Sequence, residues 1–365
     1  MANSVTSTPE LKIALFGGQG SGKTTFLASF FGNQQRHEFE EKHGYHLEAV
    51  DASQGNQLLS RYYRLEKGSF PHGTQDFSEY VFRLKVGQMP AAGMRVVIYD
   101  YPGRWWDTEP QDEGEAAGRK EAFRKLLESH FGILVVDGSC FLEDGHSYVR
   151  TAFDQFKNEA RKIRDSLSEE GHPVVDFPRQ WVVALSKADL LPGDVSATSI
   201  GRQIVEEATD QLQGFAKILA SHEFGKQYML LSSVRGDGAK VVDPHSYIGL
   251  QLVAPLALVS TLQELASRAG RGTAHGVLQR IIQGMGALVD IIDKLDDFLP
   301  PKYQFLTELL KALDLKAATD KGVEYFRHKQ EAAARGGRLL DAVAASMMAE
   351  MVSDEAQRAY FRNQG

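Results

Sequence analysis

The run Leu11-Lys12-Ile13-Ala14-Leu15-Phe16 passes directly into Gly17-Gly18-Gln19-Gly20-Ser21-Gly22-Lys23-Thr24, and then into an apolar stretch ending near Phe31. No other feature constrains the fold as tightly. A short apolar run, a glycine-rich loop and a helix-length segment read as strand, turn and helix. The loop matches G-x-x-x-x-G-K-[ST]. Its glycines let successive backbone N–H groups point inward at phosphate oxygens, and the helix that follows adds its N-terminal dipole. At this spacing Lys23 reaches the outer phosphates and the Thr24 hydroxyl can meet Mg²⁺. Chance yields such a match on the order of 1% of the time in a chain of this length. A plain glycine-rich turn ahead of a helix is the alternative.

The rest of the chain repeats the strand–helix alternation. Residues 94–100, 131–137, 180–186 and 227–233 read as strands, with helices over 115–129, 148–169, 199–221 and 248–268. This alternation predicts an α/β fold, a mostly parallel sheet flanked by helices. The alternating run 79–86 has no crossover helix before it and suits an antiparallel edge strand. Residues 1–10 read as a flexible start and 11–268 as one domain, with a polar insertion at about 33–73 that carries helical content over 55–66. Beyond 269 the strand signal stops. Leu278, Ile282, Met285, Val289 and Ile292 fall at helical spacing, and 303–315 and 321–351 also read as helices, so 269–365 is expected to be an all-α extension.

Composition narrows the class. Of 365 residues, 42% are hydrophobic and 24% charged, as in an ordinary globular protein, and 41 Lys+Arg against 48 Asp+Glu gives a net charge of −7, which argues against non-specific nucleic-acid binding. Cys140 is the single cysteine, so an intrachain disulfide and a cysteine-rich zinc site are excluded. The eleven histidines form no H-E-x-x-H pattern. The first ten residues lack the basic and apolar regions of a signal peptide. The most apolar stretch, 277–299, carries six charges that do not suit a transmembrane segment. The expectation is a cytoplasmic protein.

Three further motifs gain meaning from their positions at strand ends. Asp100-Tyr101-Pro102-Gly103 fits D-x-x-G, a pattern expected about once by chance in a chain this long. After the phosphate loop, a carboxylate there can hold Mg²⁺ through water, and the Gly103 N–H can sense a γ-phosphate. Ser186-Lys187-Ala188-Asp189 follows the next strand but one. The Asp189 carboxylate can accept from both N1–H and the 2-amino group of guanine, a donor pair adenine lacks, while the Lys187 stem lies along the base. Ser232-Ser233 ends the next strand, where a backbone N–H can meet guanine O6. Ordinary surface turns are the alternative for each.

The order of these motifs resembles the G domain of the Ras-like, TRAFAC-class P-loop GTPases over roughly residues 11–265. The resemblance implies GTP or GDP with Mg²⁺ as cofactors and GTP hydrolysis as the activity. It implies a nucleotide set of Gly17, Gly20, Ser21, Gly22, Lys23, Thr24, Thr25, Gly103, Ser186, Lys187, Asp189, Ser232 and Ser233. The family also uses a first-switch threonine on Mg²⁺. Thr74 is the expected residue, alongside Thr24 and Asp100. Residues 49–74, with Gly68-Ser69-Phe70-Pro71-His72-Gly73-Thr74, are further similar to bacterial GTPases with an elongated first switch.

Three departures bear on catalysis. Arg104 follows D-x-x-G where many members have glutamine. A guanidinium has five donors and no acceptor, so it cannot orient water as the amide does. It can stabilise γ-phosphate charge in cis, or be a surface arginine. Gln19 sits where relatives carry a small residue, and either positions water or covers the site. Ser186 replaces Asn or Thr, and its hydroxyl can tie the guanine loop to the phosphate loop. With Lys23, Gln19 and Arg104 form the candidate catalytic set. Trp105-Trp106 are either a nucleotide-gated contact surface for a protein partner, acting with the helical tail, or packing residues.

Three functions fit: a slow GTPase switch, a protein that holds nucleotide as a structural cofactor, and a P-loop ATPase or kinase. The motifs leave partner, pathway and oligomeric state open.

Overall fold

A computed structural model describes residues 10–86, 95–106, 108–169, 180–218, 224–257, 346–347, 350–351 and 353–363. The central strands are apolar runs whose successive side chains enter opposite cores. In β1 (Glu10–Phe16), Leu11, Ile13 and Leu15 enter one core, and Ala14 and Phe16 the other. The same alternation runs through β4 (Arg95–Asp100), β5 (Phe131–Asp137) and β6 (Gln180–Ser186). Strands buried on both faces need helices on both faces.

On one face lie α1 (Lys23–Gln34) and α3 (Ala52–Glu66). On the other lie α4 (Glu113–Leu127), α6 (His146–Glu169), α7 (Ala197–Glu207) and α8 (Thr209–Ile218). The second core is dense in aromatics. The Trp181 ring meets Phe16, Phe156, Phe215 and Phe224 at centroid distances of 4.9–5.9 Å.

The sheet has eight strands in the order β10-β7-β6-β5-β1-β4-β3-β2. Strands β4, β1, β5, β6 and β7 (Gln227–Leu230) are parallel. As expected, β3 (Ser78–Val86) is antiparallel to β4, but it is not the edge. Strand β2 (Tyr45–Ala49), inside the polar insertion, pairs outside it, Leu47 opposite Leu84. The insertion is therefore α2 (His37–His43), β2 and α3. Five residues with two buried positions give too little periodicity to announce a strand.

At the opposite edge, β10 (Tyr360–Arg362) runs antiparallel to β7 after the short helix α9 (Asp354–Ala359). The carboxy-terminal extension, expected to be wholly helical, thus supplies a strand. Met347, Ala356 and Ala359 are buried in the α1-side core. The expected helical stripe at 278–292 and the helices at 303–315 and most of 321–351 lie outside the described residues. Among the described residues, no helix is long and apolar enough to cross a membrane.

The parity of the strands decides what faces α1. Asp100 shares the face of Val96 and Ile98, and Ser186 that of Val182 and Ala184. Both side chains therefore emerge at the carboxyl ends of their strands on the side where α1 begins. This is the crevice in which open α/β sheets place ligands.

Candidate nucleotide site

A cleft of about 720 Å³ crosses the carboxyl ends of the parallel strands. Residues of the phosphate loop, the 70–75 segment, Gly103, Arg104 and the loops after β6 and β7 line it. Gly22 caps α1 at φ 94°, a left-handed conformation that strains any residue with a Cβ, and no side chain caps the helix. Its first N–H groups face the cleft, as an anion site requires. The Lys23 ammonium is buried and donates to the carbonyls of Gly17 (2.5 Å) and Gly18 (3.0 Å), 5.2 Å above the Tyr101 ring. Ser21 closes the loop by donating to Gly18 O at 2.9 Å. Thr25 lines the same cleft.

The three residues expected at Mg²⁺ converge. Thr74 Oγ1 donates to Asp100 Oδ2 (2.6 Å) and lies 2.8 Å from Thr24 Oγ1. Asp100 is fully buried, and its Oδ1 has no partner among the described residues. Burial raises the Asp100 pKa, opposed by the Lys23 ammonium and the Thr74 hydroxyl. One desolvated carboxylate with an orphaned oxygen beside two hydroxyls suits Mg²⁺, which binds through few protein oxygens and completes its octahedron with phosphate and water. Among the described residues no cluster of three His, Cys, Asp or Glu forms a metal cage.

The second motif touches the first. A Cβ on Gly103 would lie 2.7 Å from Gln19 N and Cα, so only glycine permits this approach. The Tyr101 hydroxyl accepts from Gly17 N–H at 3.1 Å. Tyr101 occupies an unspecified position of D-x-x-G, so the motif gave no signal for it. Gln19 is exposed at the mouth of the cleft. Arg104 lines the cleft, with its Nε buried and unpartnered among the described residues. Trp105 is only 8% exposed, stacked on Tyr101 and under the Arg119 guanidinium. It is a packing residue here and not an exposed partner anchor. Trp106 ends the same 3₁₀ turn, and its side chain lies outside the described residues.

At the other end of the cleft, Asp189 Oδ1 accepts from Ser232 Oγ (2.7 Å) and Oδ2 from Gly236 N–H (2.8 Å). These bonds hold the carboxylate in one orientation, and its remaining lone pairs stay available to a base. The Ser232 N–H is spent on Ile248 O at 2.9 Å, so of the serine pair only Ser233 can offer its N–H to a ligand. Ser186 Oγ donates to Val136 O (3.1 Å) of β5 instead of tying to the phosphate loop, because its strand neighbour is nearer. Lys187, at φ 53°, sends its ammonium to Asp137 (2.6 Å) while its stem lines the cleft. Asp137 also caps α5 (Gly138–Asp144), consistent with a turn residue. Burial and the Asp137 charge raise the pKa of Cys140, the opposite of an activated thiol. Phe70, which belongs to the 68–74 turn but had no role assigned to it, lines the cleft against Gly236.

No family model and no curated protein matches the chain. Solved structures do. The signal recognition particle receptor SRb-GTP/SRX complex from Chaetomium thermophilum is 14% identical over 62% of this chain and 91% of that chain, with a TM-score of 0.34. The S. cerevisiae Ski7 GTPase-like domain, bound to GTP, is 15% identical over 62% of this chain and 43% of its own, also at 0.34. The bacterial selenocysteine-specific elongation factor EF-Sec is 15% identical over 63% and 27%, at 0.28. The chain spans less than half of the latter two. At these identities and scores none of them assigns a function.

Proposed function

We propose that the chain is a guanine-nucleotide switch that binds GTP with Mg²⁺ and hydrolyses it slowly to GDP. One observation carries this: a single cleft holds the Thr24–Thr74–Asp100 cluster at one end and the oriented Asp189 carboxylate at the other. Phosphate would sit on the amides of Gly20 to Thr24, with Lys23 turned from its carbonyls to the outer phosphates. Bound Mg²⁺ would neutralise charge on the β- and γ-oxygens. Thr24, Thr74 and Asp100 would hold it, and Gly103 would report the γ-phosphate to the turn it begins. Asp189 selects guanine over adenine, which disfavours an ATPase. The carboxy-terminal extension would link nucleotide state to a protein partner in the cytoplasm.

Hydrolysis tests the catalytic part. With Arg104 in the water-orienting place and Gln19 exposed, turnover without a partner should be on the order of 10⁻⁴–10⁻² per second, the range of unassisted switch GTPases. The buried Arg104 Nε has no hydrogen-bond partner among the described residues, which favours charge stabilisation, so Arg104→Ala should slow phosphate release about tenfold, equivalent to about 1.4 kcal/mol. Many turnovers per second by the isolated protein would contradict a switch, and an unchanged rate in the variant would remove Arg104 from catalysis.

One observation favours a structural-cofactor role. Arg119 donates to the carbonyls of Trp105, Thr108 and Glu109, pinning the turn after Gly103 onto α4. A segment so held has little freedom to respond to a γ-phosphate.

A further inference from the structure

The loop that orients Asp189 and the segment that carries Thr74 are joined outside the cleft. Gly236 N–H donates to Asp189, and Gly236 belongs to a small hairpin of β8 (Arg235–Gly236) and β9 (Val241–Asp243). The hairpin's other strand donates from Val241 N–H to Gly68 O at 3.0 Å. Gly68 and Ser69 are themselves bonded back to Leu65 O and Arg64 O at the end of α3, both at 2.9 Å. Beneath this junction Val234, Val241, Tyr62, Leu65 and Ala28 form a separate buried cluster. The Tyr62 hydroxyl donates to Asn33 Oδ1 (3.2 Å) and meets His245 Nδ1 (3.1 Å). The inserted helix is thus wedged between α1 and the base loop.

From that anchor six peptide units lead to Thr74, whose hydroxyl meets Thr24 and Asp100. Six units extend to at most about 22 Å. The strap therefore keeps Thr74 within that distance of the Gly68 anchor. On the way it lays Phe70 against Gly236.

The geometry points to a tether: the hairpin after β7, fixed to Gly68 and Tyr62, positions Thr74 by holding the strap's near end to the base-recognition loop. Tyr62, Val241 and His245 are then positioning residues for the metal-side threonine, although none of them lines the cleft. The inference rests on the switch function proposed above. Its consequence is specific. If Thr74 contacts only the triphosphate state through Mg²⁺, loosening the tether weakens GTP binding far more than GDP binding. A contact that merely stabilises the fold would weaken both alike.

The test measures release of fluorescent GTP and GDP analogues from the full chain in Mg²⁺. The variants are Val241→Pro, which removes the N–H to Gly68, and the milder Tyr62→Phe and His245→Ala, each also combined with Thr74→Ala. One net hydrogen bond corresponds to about tenfold. GTP release should quicken about tenfold in Val241→Pro and severalfold in the milder variants, with GDP release changed less than about twofold. In the Thr74→Ala background the tether variants should add nothing, the signature of two residues acting through one element. Equal acceleration of GTP and GDP, full additivity with Thr74→Ala, or no effect in folded His245→Ala and Tyr62→Phe would overturn the tether alone. If Thr74→Ala by itself left GTP release unchanged, the switch function would fall and the tether with it.

Discussion

Asp189→Asn should lower the affinity for GDP and GTP about a thousandfold while leaving the chain folded. The carboxylate faces the cleft with both oxygens oriented by Ser232 and Gly236. In the proposed complex it accepts from guanine N1–H and the 2-amino group. Each hydrogen bond to a charged partner contributes about 1.5–3 kcal/mol, and losing roughly 4 kcal/mol in total corresponds to about three decades. Asparagine keeps one acceptor and presents an NH₂ to a base that also offers donors. Xanthine carries a carbonyl where guanine carries the 2-amino group, so the same variant should prefer XDP to GDP by at least about tenfold. Calorimetric titration of both nucleotides checks this. Unchanged GDP affinity would place base recognition elsewhere in the molecule and return the ATPase to consideration.

Asp100→Asn should separate stability from metal dependence. Asp100 is 0% exposed, its Oδ1 has no partner among the described residues, and burial disfavours its charged form. A buried charge that Lys23 and Thr74 offset only in part destabilises the nucleotide-free fold. The neutral isostere can still accept from Thr74, so the nucleotide-free variant should melt about 2–4 °C higher, equivalent to about 1 kcal/mol in a domain of this size. The same change removes the only carboxylate in the proposed Mg²⁺ site. The ratio of GTP affinity with Mg²⁺ to that with EDTA should fall at least about hundredfold. Scanning calorimetry reads the first effect and paired titrations the second. A lower melting temperature with an unchanged Mg²⁺ ratio would mean that Asp100 is a structural acid and not a metal residue.

Much of the fold was legible because short apolar runs alternate with helix-length segments, and the central strands β5 and β6 are buried along their whole length. Ile13 and Ala14, or Ile98 and Tyr99, go to opposite cores, as the period-two pattern requires. The motifs were legible because their residue types serve backbone geometry and charge. Thr74 could be chosen from its place just before β3, and the structure brings it to Thr24 and Asp100. What escaped was short or pairwise. Strands β2 and β10 have five and three residues and exist through their partners β3 and β7. Tyr101 and Phe70 touch the loops of the site through packing that no spacing rule encodes. Ser186 found a nearer carbonyl than the loop it was expected to tie. Trp105 follows its hydrophobic neighbours Tyr101 and Phe123 inward, so its burial reflects α4 and not the dipeptide itself.

The most direct measurement is a titration of the nucleotide-stripped protein with GDP, GTP and ATP in Mg²⁺, followed by tryptophan fluorescence. Trp105 lies two residues beyond the proposed γ-phosphate sensor Gly103, stacked on Tyr101, whose hydroxyl meets Gly17. Trp181 is sealed in the core at 0% exposure and serves as a constant background. A guanine-nucleotide switch predicts saturable signals with GDP and GTP, different end points for the two, and no signal with ATP at the same concentrations. Identical end points for GDP and GTP, or an ATP response equal to that of GTP, would contradict it.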